Sequence, residues 1–377
     1  MSAVVTSAAL NVAEQRLRLL VETESPTGHA EGIAACQDHL TQWAAPLFGR
    51  PGEVRTIEGV DHLYWPAPRS GGVLLLGHAD TVWPLGTLEH LPYTVDGRRA
   101  SGPGTFDMKA GLVATIGALE QLGRVDDVSL LITSDEEVGS PTSRALIEHA
   151  AARSGAVLIA EPSLDGAVKV ARRGAGIYRL AAIGRAAHAG LDPERGANAL
   201  VEIAHQVLRL AEAGDLNEGT TVTPTVSSSG STVNTVPEHA EVHVDVRAWS
   251  AAELTRVDRL FRELAPVDPR VTLQLSGGIN RPPLQRHCAQ DLYELARAVA
   301  TSCGHPPLEG AEVGGASDGN FTAALGVPTL DGLGPLGDGA HAAHEWVDLP
   351  SILERSQLIA GLIERLREAP PRRITAS

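Results

Sequence analysis

Short apolar runs that stop abruptly at histidine or acid recur along this chain. Residues 73–76 lead into Gly77-His78-Ala79-Asp80, residues 128–133 into Ser134-Asp135-Glu136-Glu137, and residues 156–159 into Ala160-Glu161-Pro162. Runs of this length, bounded by glycine and polar residues, suit strands buried on both faces. Amphipathic patterns over residues 8–24, 33–47 and 108–122 predict helices around them. Strands alternating with helices make an α/β layer around a mixed sheet. Ligand sites in such sheets lie at the carboxyl ends of the strands, which is where these joins deliver their polar side chains.

After Arg172-Arg173-Gly174 the pattern changes. The next elements are predicted as strand (177–183), helix (197–213), strand (220–226), strand (240–248), helix (251–264) and strand (271–275). That βαββαβ order is a ferredoxin-like unit. A helix over 291–300, a short strand over 327–330 and a last helix over 350–368 then resume the first pattern. The expected organisation is a discontinuous domain of residues 1–174 and 281–377, interrupted by an inserted domain of residues 175–280. Hinges are expected near Gly174 and Ser276-Gly277-Gly278, and the polar tail after Glu368 reads as disordered.

Thirty-one Lys and Arg stand against 46 Asp and Glu, a formal charge of −15. Such a surface repels phosphate backbones and anionic bilayers, and aromatics at 3% leave little to stack on bases. Nucleic acid and membrane are therefore not expected partners. No apolar run reaches the roughly 18 residues of a membrane span. Met1 to Leu20 lacks a basic segment followed by a long apolar one, so a cytoplasmic protein is expected. Cys36, Cys288 and Cys303 are too scattered for a disulfide framework or a thiolate metal site.

Each polar join has a plain reading and a chemical one. His78 and Asp80, two residues apart at a strand end, share a face. They form either a strand-end turn or a metal ligand with the carboxylate that orients it. Asp107 follows the Gly/Pro loop Ser101-Gly102-Pro103-Gly104 and precedes a helix, which suits an N-cap as well as a ligand. Asp135, Glu136 and Glu137 form either a solvated cluster or a set of carboxylates whose repulsion a cation relieves. Glu161 ends a further strand. Four such deliveries to one sheet edge favour the chemical reading. Histidine and carboxylates without thiolate suit Zn²⁺, with Mn²⁺ and Co²⁺ nearly as good, and ion pairs about 3.5–4 Å apart recur in hydrolases.

Gly77-His78-Ala79-Asp80-Thr81-Val82, the Gly102-Pro103-Gly104 loop continuing through Asp107, Lys109 and Gly111, Asp135-Glu136-Glu137-Val138-Gly139 and Glu161-Pro162 occur in that order. Together they resemble the M20 metallopeptidases, closest to the glutamate carboxypeptidase and acetylornithine deacetylase branch. Gly314 to Asn320 and the closing Gly337 to Val347 also fit. The resemblance implies a zinc-peptidase-like catalytic domain, with the inserted domain serving as lid and dimerisation surface. It implies two divalent ions, one held by His78 and Glu161, the other by Glu137 and His341, with Asp107 bridging. Glu136 would be the general base and Asp80 would orient His78. The family pattern aligns His341 with the ligand and leaves His344 where aspartate is usual. A cis peptide is implied at Asp107-Met108.

In the inserted domain the resemblance makes His188 an oxyanion donor reaching the other subunit of a homodimer, with Asn234 a similar case. Arg247 and Arg281 match arginines that hold a substrate carboxylate; the plain alternative for either is a surface ion pair. The implied activity is hydrolysis of an amide bond in an N-acyl amino acid or short peptide with a free carboxylate. A deacylase of the acetylornithine deacetylase or desuccinylase kind is the near alternative, and a metal-binding protein without catalysis the distant one. Gly315-Ala316-Ser317-Asp318-Gly319 also matches the G-x-S-x-G nucleophile elbow, but no buried strand precedes it.

Overall fold

The computed structural model describes residues 7–369 and 371, so nearly all of the tail expected to be disordered lies outside it. The chain divides into two compact units. One is Met1–Ala171 with Gln285–Val313 and Ser317–Ser377; the other is Arg172–Leu284 with Gly314–Ala316.

The first unit is built on a six-stranded mixed sheet in the order Glu53–Ile57, Val60–Trp65, Val128–Thr133, Val73–His78, Ala156–Ile159, Thr329–Leu330. The apolar runs form its parallel centre. Val73 pairs with both Val128 and Ala156, and His78 with Thr133, so the three strands end nearly level. All residues of Val73–His78 and Val128–Thr133 are buried, as strands covered on both faces require. Leu74, Leu76, Leu131, Val157 and Ile159 meet Ile147, Phe321 and Val327 in one cluster. Each such side chain contributes about 1.5–3 kcal/mol when fully buried.

The helix Ala110–Leu122 is buried along most of its length and approaches the strand ends closely. A Cβ on Gly111 would stand 1.9 Å from the carbonyl oxygen of Ala160, so only glycine permits this approach. A second, four-stranded sheet orders Gly337–Asp338, Trp346–Asp348, Arg99–Ser101 and Thr94–Asp96. Its pairing of Trp346 with Ser101 and Val347 with Ala100 joins segments far apart in sequence.

The second unit has the chain order strand, helix, strand, strand, helix, strand. Its sheet runs Thr221–Ser229, His239–Ala248, Gly174–Ile183, Thr272–Arg281, antiparallel throughout. This is the expected ferredoxin-like arrangement. The helices Ala199–Glu212 and Ala251–Arg262 supply Ile203, Leu210, Leu254, Val257 and Phe261 to a core with Tyr178, Leu180, Val242, Val244 and Val246. The Tyr178 and Phe261 rings meet edge to face at 4.9 Å.

One expectation needs correction. Neither glycine site expected as a hinge is a free loop: Gly277 and Gly278 lie inside a strand, paired with Tyr178 and Ile177, and Gly174 pairs with Ala248. The chain passes between the units at 171–172, 284–285, 313–314 and 316–317.

Candidate metal centre

His78 ends its strand 2% exposed. Its Nδ1 lies 2.9 Å from the backbone oxygen of Asp80, which fixes the ring and leaves Nε2 pointing away. Nε2 stands 3.4 Å from Asp107 Oδ1 and 3.4 Å from Glu161 Oε1. The other oxygen of Asp107 is 3.3 Å from His341 Nε2, and that nitrogen is 3.1 Å from Glu137 Oε2. Asp107 thus faces a histidine with each oxygen, the disposition of a bridging carboxylate. Ligand atoms of His78, Asp107 and Glu137 lie within 4.8 Å of one another, and so do those of His78, Glu136 and Glu161. Glu136 is therefore within reach of the same centre.

The donor set passes a direct test for cations. His78 Nε2 and Glu137 Oε1 are buried without a hydrogen-bond partner, an expensive state unless something else occupies their lone pairs. A divalent ion among imidazole and carboxylate donors would do so.

Charge within the centre is tightly interdependent. Burial opposes the charged form of His78, but Asp107, Asp80 and Glu161 outweigh it and hold its pKa well above the usual range. Asp107 and Glu137 raise His341 to about 10. Burial opposes ionisation of Asp107 as well, yet His341 and His78 keep it strongly acidic. Burial pushes Glu137 up, against the pull of His341.

The Asp80 carboxylate lies 3.4 Å from His78 Nδ1 and also reaches beyond it. It accepts the Thr27 hydroxyl at 2.7 Å and the backbone N–H groups of Glu136 and Glu137 at 3.3 and 3.2 Å. It therefore anchors the turn Glu136–Val138 that carries both acids. Asp135 turns away from them, accepting from Thr142 and Ser143, so the run of three acids is not a single cluster. Nor is Asp107 an N-cap, because Lys109 holds that position on the helix Ala110–Leu122. The Asp107-Met108 bond is cis.

The sequence reading missed the task of Glu345. This buried carboxylate accepts N–H groups from Gly104, Phe106 and Asp107 at 2.9, 2.8 and 3.0 Å and the Trp83 indole at 2.9 Å. It braces the loop that presents Asp107. The available signal was an acid beside an aromatic in the closing motif. His344, one residue earlier, is exposed, and its carbonyl accepts from Arg99. Ser317 is buried and donates to Asp331 at 2.5 Å, so it is not an exposed nucleophile.

In the second unit, the Ala189 N–H bonds to the carbonyl of Asn234 at 2.9 Å, bringing the exposed His188 and Asn234 side by side. Arg247 is held by Asp245 at 2.8–2.9 Å, the ion pair foreseen as its plain alternative. Arg281 ends the Thr272–Arg281 strand, 7% exposed.

Residues 74–365 match the model of Peptidase family M20/M25/M40. The chain belongs to peptidase family M20. It is 32% identical over 366 residues to carboxypeptidase G2 of Pseudomonas sp. (strain RS-16), covering 92% of this chain and 87% of that one. Acetylornithine deacetylase of Proteus mirabilis (strain HI4320) is 27% identical over 314 residues, 78% of this chain and 79% of the relative. A dinuclear metal binding peptidase of the M20 family from Bacillus subtilis shares the fold, with a TM-score of 0.67 at 14% identity over 97% of this chain and 100% of that one. This M20 protein is a metal-dependent hydrolase. Among the described residues no helix is long and apolar enough to cross a membrane.

Proposed function

We propose that the chain hydrolyses the amide bond of an N-acyl amino acid or short peptide carrying a free carboxylate, as a glutamate carboxypeptidase-like enzyme with two zinc ions. The convergence of His78, Asp107, Glu137, Glu161 and His341 around buried, unsatisfied ligand atoms carries this reading. His78, Asp107 and Glu161 would hold one ion, and Glu137, Asp107 and His341 the other. When bound, the two dications would polarise the substrate carbonyl and lower the pKa of the attacking water. Glu136 takes the proton from that water and passes it to the leaving nitrogen. His188 and Asn234 stabilise the developing oxyanion. Arg281 receives the substrate carboxylate, whose planar fork matches a guanidinium bidentately. Arg247 would have to leave Asp245 to do the same.

Carboxypeptidase G2 favours a carboxypeptidase, and the acetylornithine deacetylase relative keeps a deacylase as second reading. The second unit serves as lid and homodimer surface. Its edge strand Thr221–Ser229 is largely exposed, and Leu200, Val201 and Leu208 stand out from its helix. Free Cys36, Cys288 and Cys303 suit a reducing cytoplasm.

Metal analysis of the purified protein, followed by a mass-spectrometric screen of N-acyl amino acids and dipeptides with zinc, cobalt or manganese restored, tests the activity. N-acyl-glutamate should be hydrolysed far faster than its α-amide; equal rates would refute carboxylate anchoring.

A further inference from the structure

Apart from the metal centre, the first unit holds a cavity of about 350 Å³ beside the start of the helix Leu349–Glu368. Leu308, Leu336 and Leu358 give it apolar walls, and Arg355 and His305 contribute polar groups. Arg355 is 8% exposed, and one of its N–H groups donates to the carbonyl of Gly166. Among the described residues no carboxylate comes within ion-pair distance of it; burial pulls its pKa down to about 10, and the charge of Glu354 offsets that only in part. A guanidinium in that position is normally paired, because an uncompensated buried charge is strongly destabilising. His305 adds a second incomplete group: its Nε2 is buried without a hydrogen-bond partner.

We infer that this cavity is a second ligand site, taking a small organic monocarboxylate whose charge meets Arg355 and whose apolar body fills the space between the leucines. A carboxylate completes the guanidinium bidentately, and the volume lies at the small end of ligand pockets. The acids Asp165, Glu309, Asp348 and Glu354 also line the cavity, Asp348 being paired with Arg98 at 2.8 Å, and the remaining three disfavour dianions. Free apolar amino acids and simple branched acids share the required chemistry. None of these residues belongs to the metal centre.

Calorimetric titration of the metal-loaded enzyme with isovalerate, leucine and inorganic phosphate tests the site. Isovalerate or leucine should bind saturably, phosphate should not, and the two organic ligands tell a simple acid from an amino acid. Two variants keep the result interpretable. Arg355→Gln removes the charge, and Ala167→Leu fills the cavity while retaining it. Both should weaken binding at least tenfold and leave turnover of the amide substrate unchanged. The inference is overturned if neither organic ligand binds, if binding survives both variants, or if phosphate binds as well as they do through Arg355.

Discussion

Glu136 and Glu137 are neighbours in one turn and face different demands. Glu137 directs one oxygen to His341 and holds the other buried without a partner, as a ligand does. Glu137→Gln should therefore lose metal. Glu136→Gln should retain it and lose about 10²–10⁴-fold in kcat, the usual contribution of a general base. Metal stoichiometry measured beside turnover separates the two, and a Glu136→Gln enzyme of full activity would sink the assignment. Protonation supplies a second test. In the metal-free protein the surrounding carboxylates raise the pKa of His78 and bring that of His341 to about 10, whereas a metal needs both rings neutral. Binding should release protons, and affinity should climb as pH rises. Calorimetry in buffers of different ionisation enthalpy reads that release; an enthalpy indifferent to buffer would contradict it. At this scale the sequence was informative where a side chain ends a strand, as with His78 and Glu161, because position follows from the strand itself. It was silent on Asp135 and Glu345, whose partners are hydroxyls and backbone N–H groups that no spacing rule reveals.

Between elements, the centre depends on how closely backbones approach. The Gly111 contact with Ala160 holds the helix after Asp107 against the strand end that delivers Glu161. Gly111→Ala must separate them, with a loss of about 1–3 kcal/mol of stability typical of overpacking, and metal should be retained less well. Denaturant unfolding of the metal-free variant checks this; native stability would mean the backbone yields freely. Glu345 acts between loops. Its two oxygens accept four donors, and an amide would present N–H to some of them whichever way it turned. Glu345→Gln should therefore weaken metal binding about 10–100-fold, as loss of a ligand's supporting contacts does. Activity should recover when excess metal is supplied. An unchanged metal Kd would refute the bracing role. The small sheet that brings Ser101 beside Trp346 was not legible, since strands of two or three residues leave no periodic pattern. The hairpin over residues 53–65 also escaped notice. Its first strand, Glu53–Ile57, has a polar sequence and an exposed face, and its turn uses Glu58 and Gly59 at positive φ rather than the familiar Asn-Gly.

For the molecule as a whole, the insertion was readable because a βαββαβ period interrupts an α/β one; the second unit, Arg172–Leu284, also takes in Gly314–Ala316, a segment that no periodicity marks. The proposed metal ligands all belong to the first unit, while His188 and Asn234 belong to the second. That division makes the proposed trans arrangement testable without any structure of a dimer. Glu136→Gln and His188→Ala should each be nearly inactive alone. If His188 serves the other subunit's centre, a dimer of one variant with the other places both lesions at one centre and leaves the second intact. Random exchange makes half of the dimers mixed, so about a quarter of all sites should regain full function. If His188 instead serves its own centre, every site keeps one lesion and mixing restores nothing. Subunit exchange must be verified independently, by mass spectrometry of isotopically distinct chains, so that failed exchange is not mistaken for action within one chain. A protein that remains monomeric at the assay concentration and is fully active would refute the trans arrangement outright.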